Sequence, residues 1–334
     1  MLFSSLLLTA CNRSDLDRRL TRLDGMTMGT HYQIRITDPQ EDINSDQLQA
    51  SLDTLLREIN RSMSTYDKDS ELSRINRSRE QKPIPISPEL YTVLDAALNV
   101  NRLSNGAFDV TVGPLVNLWG FGPELREDAV PPPIDIQLAL ERVGMDKIEL
   151  ADSGSPTLRK LHPEVYLDLS AIAKGYGVDR LAEHLETLNI SNYMVEIGGE
   201  IRVKGVNARG RPWHIAIEKP SSDGRNVFKV IAPGDLAVAT SGDYRNYFER
   251  DGKRYSHTIN PHSGRPVEHS LASVTVLADN CMYADAMATA LMVLGPEQGY
   301  ALAIAEKLPV MFIIRSAEGF TSRLTPAMEP LVID

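Results

Sequence analysis

Between residues 193 and 278 the chain is a series of short apolar stretches, at 193–197, 201–205, 213–218, 227–231, 236–239 and 273–278, broken by turns that contain Gly. Short apolar runs bounded by such turns read as strands. Their hairpin-like succession favours antiparallel pairing, because parallel neighbours need a crossover of about a dozen residues or more. Further strands are expected at 31–36, where Tyr32, Ile34 and Ile36 alternate with polar residues, at 165–169 and at 310–314. Helical periodicity marks 46–63, whose stripe is Leu48, Leu52, Leu55, Leu56, Ile59 and Met63. A second helix starts at the cap Ser87 with Pro88 behind it, carries Leu90, Val93, Leu94 and Ala97, and stops at Asn105-Gly106. Helices are also expected at 135–143, 171–188, 283–294 and 297–307, the last two split by Gly295-Pro296. Residues 123–133, with four prolines, read as a surface loop. The fold class is therefore α+β, a largely antiparallel sheet core with packed helices.

The chain has 334 residues, 42% of them hydrophobic, enough to enclose a substantial core. Its net charge of -10, with no long basic run, excludes the electrostatic footprint of a nucleic-acid binder. Residues 1–11 form an apolar stretch ending in Cys11, and Leu8-Thr9-Ala10-Cys11 resembles a bacterial lipobox, although no Lys or Arg precedes it. On that reading Cys11 is lipidated and anchors the protein to a membrane facing the periplasm, residues 12–24 are a tether, and 25–334 form one catalytic domain. Cys281 then has no disulfide partner, so stability rests on the core.

Asp285 and Thr289 stand four apart, which puts a carboxylate and a hydroxyl on one helix face. Both are hard oxygen donors of the kind that hold Mg²⁺ or Ca²⁺. Four segments, 106–122, 168–180, 240–247 and 256–266, are rich in Gly, small polar residues and aromatics. Gly lets backbone N–H groups approach a ligand closely, and the strand–loop–helix expected at 165–180 offers a helix start suited to phosphate. Tyr66 and Phe108 are either aromatic platforms for a ring system or core residues. Lys174 either balances phosphate charge or pairs with Asp168. His257 is either a general base or a loop histidine bonded to backbone. Arg245 and Arg265 read as surface cations, and Trp119 and Trp213 as core.

With these segments in place, the chain resembles the ApbE family of periplasmic FAD:protein FMN transferases over residues 25–331. The resemblance is carried by Thr27-Met28-Gly29-Thr30, by 64–70 (Ser64, Tyr66, Asp67, Ser70), and by 106–122, 168–180, 240–247, 256–266 and 283–295, in the family's order. It implies Mg²⁺-dependent transfer of FMN from FAD to a Thr or Ser hydroxyl of a target protein, with release of AMP. The targets implied are subunits of Nqr- and Rnf-type membrane redox pumps. By the same resemblance Met28, Tyr66, Ala107, Phe108, Asp109, Asp168, Lys174 and Ile259 contact FAD. The metal falls to the Ala171 carbonyl, Asp285 and Thr289. Some members carry an extra Asp where this chain has Ala288, which leaves water or phosphate oxygens to complete a metal shell. Two other readings remain at this stage, a FAD pyrophosphatase and a non-enzymatic flavin-binding envelope lipoprotein.

Overall fold

The computed structural model describes residues 19–38, 43–123, 129–221, 226–244 and 246–333. Cys11, most of the expected tether, Arg245 and the middle of the proline-rich loop lie outside them. Among the described residues no helix is long and apolar enough to cross a membrane.

Eight strands build one sheet in the order Leu20–Thr27, Thr30–Thr37, Tyr193–Ile197, Glu200–Lys204, Ala237–Gly242, Leu271–Ala278, Val310–Ser316 and Gly319–Leu324, each antiparallel to its neighbour. The first two are joined at Met28-Gly29, and both residues have positive φ, 48° and 72°. Two left-handed residues in a two-residue loop match the right-handed twist of the strands, and Gly is the usual occupant. Met28 takes the more strained position.

Among the described residues seven helices flank the sheets: α1 (Ser45–Met63), α2 (Glu71–Arg77), α3 (Pro88–Leu103), α4 (Gly113–Leu118), α5 (Pro133–Leu140), α6 (Ala173–Thr187) and α7 (Cys281–Ala305). Asn44 caps α1 by accepting from Asp46 and Gln47 N–H, and Leu48, Leu52, Leu56, Ile59 and Met63 are its buried stripe. Ser87 caps α3 as expected, accepting from Leu90 N–H at 3.2 Å. Gly295 breaks α7 with φ 78°, and Pro296 starts the next stretch. One apolar cluster lies between α1, α6 and the first strands, and a larger one surrounds α3 and the first part of α7. The hairpin Ile215–Glu218 and Val227–Ile231 covers the other sheet face through Trp213, Ile215 and Ile231.

Some expectations are corrected. Residues 165–169 are buried at Val165, Leu167 and Leu169 but pair with no strand, because Asp168 N–H goes to the Val110 carbonyl and Leu167 N–H to Asn76 Oδ1. The sheet starts at Leu20, inside the segment read as tether, where alternation is too short to register as a strand. Among the elements missed were α2, α4, the edge strand Gly319–Leu324, the hairpin Tyr247–Arg250 with Lys253–Ser256, and the hairpin Ile148–Asp152 with Pro156–Lys160, whose outer residues are mostly polar. The helix expected at 135–143 spans Pro133–Leu140 instead.

That hairpin supplies Lys160, which is 0% exposed. Its ammonium donates to the carbonyls of Ser78 at 2.7 Å, Ile75 at 3.3 Å and Asn76 at 3.5 Å, capping the end of α2. Burial, reinforced by nearby Arg79, pushes its pKa down from 10.5 to about 8. An unfolded Lys keeps its proton to higher pH than this one, so between about 8 and 10.5 the unfolded state binds more protons and this group's contribution to stability rises with pH. The unfolding free energy of the wild type, measured against Lys160→Met by denaturant titration, should therefore improve from pH 8 to 10. A difference that stays flat or declines would contradict the buried ammonium.

Candidate functional site

The junction between α6 and the start of α7 is held by two carboxylates pointing opposite ways. Asp285 of α7 accepts the Gly175 N–H of α6 at 3.0 Å through Oδ2. Asp179 of α6 accepts the N–H groups of Cys281 and Met282 at 2.9 and 2.8 Å, so it caps α7 from outside. A carboxylate on unpaired N–H groups at a helix start also meets the favourable end of the helix dipole. Gly175 permits this contact. A Cβ there would lie 2.3 Å from the Cys281 carbonyl oxygen and 2.8 Å from Asp285 Cβ.

The bond from Gly175 to Asp285 has a second effect. In a continuing helix that N–H would return to the Ala171 carbonyl, as Tyr176 N–H returns to Ile172. Its diversion frees the Ala171 oxygen, and the i,i+4 spacing puts the Thr289 hydroxyl, half-buried, on the Asp285 face. These three hard oxygens are a donor set suited to Mg²⁺, which tolerates few protein ligands and keeps water or phosphate on the rest of its shell. Among the described residues no group of three or more His, Cys, Asp or Glu is placed to hold a metal. Ala288 lies in the main core, 1% exposed.

Lys174 sits beside this corner and pairs at 2.7 Å with Glu200, which follows the Gly198-Gly199 turn. The expected partner Asp168 is not used. Asp168 instead accepts from Ser170 N–H at 2.9 Å and from the Ser170 hydroxyl. Burial raises Glu200 to about 7, with Lys174 opposing, and burial also raises Asp285. Burial acts to lower Lys174, but Glu200 and Asp285 outweigh it and the ammonium is held protonated. The second oxygen of Glu200, Oε2, is buried without a hydrogen-bond partner. Glu200 was missed in the sequence; its signal was a lone acid directly after a Gly-Gly turn, inside apolar strands.

His257 is bonded to backbone, as one of its two sequence readings has it. Its Nδ1 lies 3.0 Å from the Asn246 carbonyl, and since a carbonyl only accepts, that nitrogen carries the hydrogen. Burial lowers the pKa, and the Lys174 ammonium adds to this against Asn246 and Asp243. The ring is thus neutral near pH 7 with Nε2 unprotonated, the form a general base needs. Phe121 meets it edge-on at 6.3 Å. The other candidates are bound to backbone: His262 Nε2 at 3.1 Å from the Asn105 carbonyl, and His269 Nε2 at 2.8 Å from that of Met292.

The remaining expected flavin contacts divide. Tyr66 is 69% exposed and stands over the Asp168 loop, whose charge adds to burial in raising its pKa, so its ring face is open. Phe108 is 2% exposed inside the main core, and its neighbour Ala107 is buried, so Phe108 offers no stacking face. The residue is held there by Asn101 Nδ2, which donates to its carbonyl at 2.7 Å. Asp109 accepts from Thr111 N–H at 2.7 Å and from the Thr111 hydroxyl, which shapes the loop. Burial raises its pKa. Ile259 is buried among Leu115, Trp119 and Phe248. Met28 reaches from its turn to α6, its Cε lying 3.0 Å from where a Cβ on Gly177 would be. The structure therefore brings Lys174 and Asp285 into one charged corner where α6 meets α7, with Met28 against α6 at Gly177, Thr289 one turn along α7 from Asp285, and His257 in electrostatic reach. Asp168 ties the 106–112 loop to the same corner through its 2.7 Å bond to Val110.

The model of the ApbE family matches residues 28–312. The FAD:protein FMN transferase of Vibrio cholerae is 49% identical over 331 residues, 99% of this chain and 97% of that protein. The solved structure titled flavin transferase ApbE from Vibrio cholerae superposes with a TM-score of 0.88, covering 94% of this chain and 99% of that one. A second structure of that relative carries a histidine-to-glycine substitution. The apo flavinyl transferase ApbE of Pseudomonas stutzeri, 38% identical, superposes at 0.86 over 94% and 97% of the two chains.

Gly175→Ala should separate α6 from α7 and misplace Asp285. We expect a stability loss of about 1–3 kcal/mol, as for other overpacked sites, together with a loss of activity beyond what unfolding explains. Unchanged thermal melting and turnover would show that the junction has slack.

Proposed function

We propose that this chain, which belongs to the ApbE family, moves FMN from FAD to a Thr or Ser hydroxyl of a protein acceptor and releases AMP. It is a transferase, and FAD is its substrate. The observation that carries the mechanistic reading is the diversion of Gly175 N–H to Asp285 rather than to the Ala171 carbonyl, which supports reading that carbonyl, Asp285 and Thr289 as the metal's oxygen donors.

Those three groups would hold Mg²⁺, whose charge would offset that of the pyrophosphate as the bond to AMP breaks. Lys174, kept protonated by Glu200 and Asp285, adds a fixed positive charge on the same side. Nε2 of His257 takes the proton of the acceptor hydroxyl. The freed oxygen attacks the phosphorus on the FMN side, the bridging oxygen leaves with AMP, and a phosphoester to protein remains. Tyr66, with its open face, is the group suited to stacking on a flavin or adenine ring.

By the family resemblance the acceptors are subunits of Nqr- and Rnf-type redox pumps, and Cys11 carries the lipid that holds the enzyme at a bacterial membrane on the periplasmic side. A pyrophosphatase would use water in place of the hydroxyl, and a flavin-storing lipoprotein would show no turnover.

Incubation with FAD and Mg²⁺, with and without an acceptor domain, followed by mass spectrometry of the acceptor and assay of AMP, separates these readings. FMN on a Thr or Ser with matching AMP is expected, falling by a factor on the order of 10² or more in Asp285→Ala. Rapid AMP release without acceptor, or FAD turnover indifferent to that substitution, would refute transfer at this corner.

The pH profile tests the base. Because burial lowers the His257 pKa, kcat/KM should stay level through the ordinary histidine value of 6.5 and fall only at lower pH as the ring gains its proton. His257→Gln should remove that limb and cost roughly 10²–10⁴ in rate. A limb that persists in the variant would assign the titration to another group.

A further inference from the structure

On the sheet face away from α1 and α6, the edge strand Leu20–Thr27 and its neighbour bring Arg22 and Arg35 directly opposite one another. Cross-strand partners have Cβ atoms roughly 5 Å apart, and like charges there repel. Arg209, on the turn after Glu200–Lys204, joins them, and with Leu20, Asn207, Ala208 and Trp213 they line a cavity of about 580 Å³. No carboxylate among the described residues lines it. Among the described residues none of the three guanidinium groups makes a hydrogen bond or ion pair, and Arg35 Nε is sealed from water with no acceptor. The uncharged walls are already engaged: Trp213 Nε1 donates to the Lys204 carbonyl at 3.0 Å, and Asn207 donates to Pro212 and accepts from Arg209 and Arg211 N–H. Three gathered cations, one of them with a desolvated donor left open, are costly in a chain whose net charge is -10 unless an anion meets them.

We propose that this cavity is a binding site for a phosphate group. One planar carboxylate is saturated by one or two guanidinium forks, whereas phosphate presents oxygens in several directions and suits three. Half-buried Leu20 gives the mouth an apolar side, and Trp213, 6% exposed, lines its inner wall. The cavity is also bounded by the residue at which the sheet begins, a short stretch of sequence after Cys11. The group bound is thus either the headgroup phosphate of an anionic phospholipid or free phosphate. The site is separate from the α6–α7 corner, and the inference does not rest on the transferase reading.

The test uses the full chain with Cys11→Ala, so that no covalent lipid replaces the cavity, beside the same chain carrying Arg22→Gln, Arg35→Gln and Arg209→Gln. Sedimentation with phosphatidylcholine vesicles, with and without phosphatidylglycerol, forms one arm. Thermal melting in inorganic phosphate against chloride at equal ionic strength forms the other. Binding to the anionic vesicles that drops about tenfold or more in the triple variant assigns the headgroup, and a phosphate-specific rise in Tm absent from the variant assigns the free anion. Either result supports the site. If the triple variant fails to fold, Arg22→Gln with Arg209→Gln, two exposed positions, serves in its place. Wild type that responds in neither arm, or variants indistinguishable from it, would overturn the proposal.

Discussion

The reciprocal pair of carboxylates between α6 and α7 is the constraint on which the rest depends. Asp179 and Asp285 each satisfy N–H groups of the other helix, so neither helix start can shift without stranding polar groups in a buried place. Arg202 steadies Asp179 from the sheet at 2.9 Å, which ties the junction to the strand that begins with Glu200. The glycine between the helices is what allows them to approach. Fold and chemistry meet here, because the hydrogen bond that locks the helices is also the one that withholds a donor from the Ala171 carbonyl.

Around that lock the two acids Glu200 and Asp285 are buried, and the Lys174 side chain is only partly exposed. Lys174 pairs with Glu200 and also feels the charge of Asp285, both acids being raised by burial. Glu200 keeps an oxygen with no donor among the described residues, so the network is held short of full satisfaction. Such a cluster favours a ligand that brings positive charge to the acids or negative charge to the lysine, and a metal-bound pyrophosphate does both. His257 stands outside the cluster but within its field, which helps keep it neutral.

The helical parts were legible where a stripe and a cap coincide: α1 with its leucines, α3 with Ser87-Pro88, and the Gly295-Pro296 break in α7. The central strands were legible as short apolar runs between turns that contain Gly. Residues 165–169 misled because burial without sheet pairing looks the same in sequence as a core strand, and Asn76 and Val110 supply the missing hydrogen bonds from distant positions. The shared helix face of Asp285 and Thr289 was legible from spacing, but of the two readings of Lys174 the pairing with Asp168 gives way to Glu200, which comes close only through the hairpin at Gly198-Gly199. Phe108 and Ile259 show the complementary limit: residue type does not tell an aromatic or aliphatic wall of a pocket from the core behind it.

The most direct measurement is a crystal structure of the chain with FAD and Mg²⁺. The account predicts one cation touching the Ala171 carbonyl, Asp285 and Thr289 while bridging the two phosphates of FAD, with Lys174 on the same side. A pyrophosphate bound elsewhere, with no cation at those three oxygens, would contradict it.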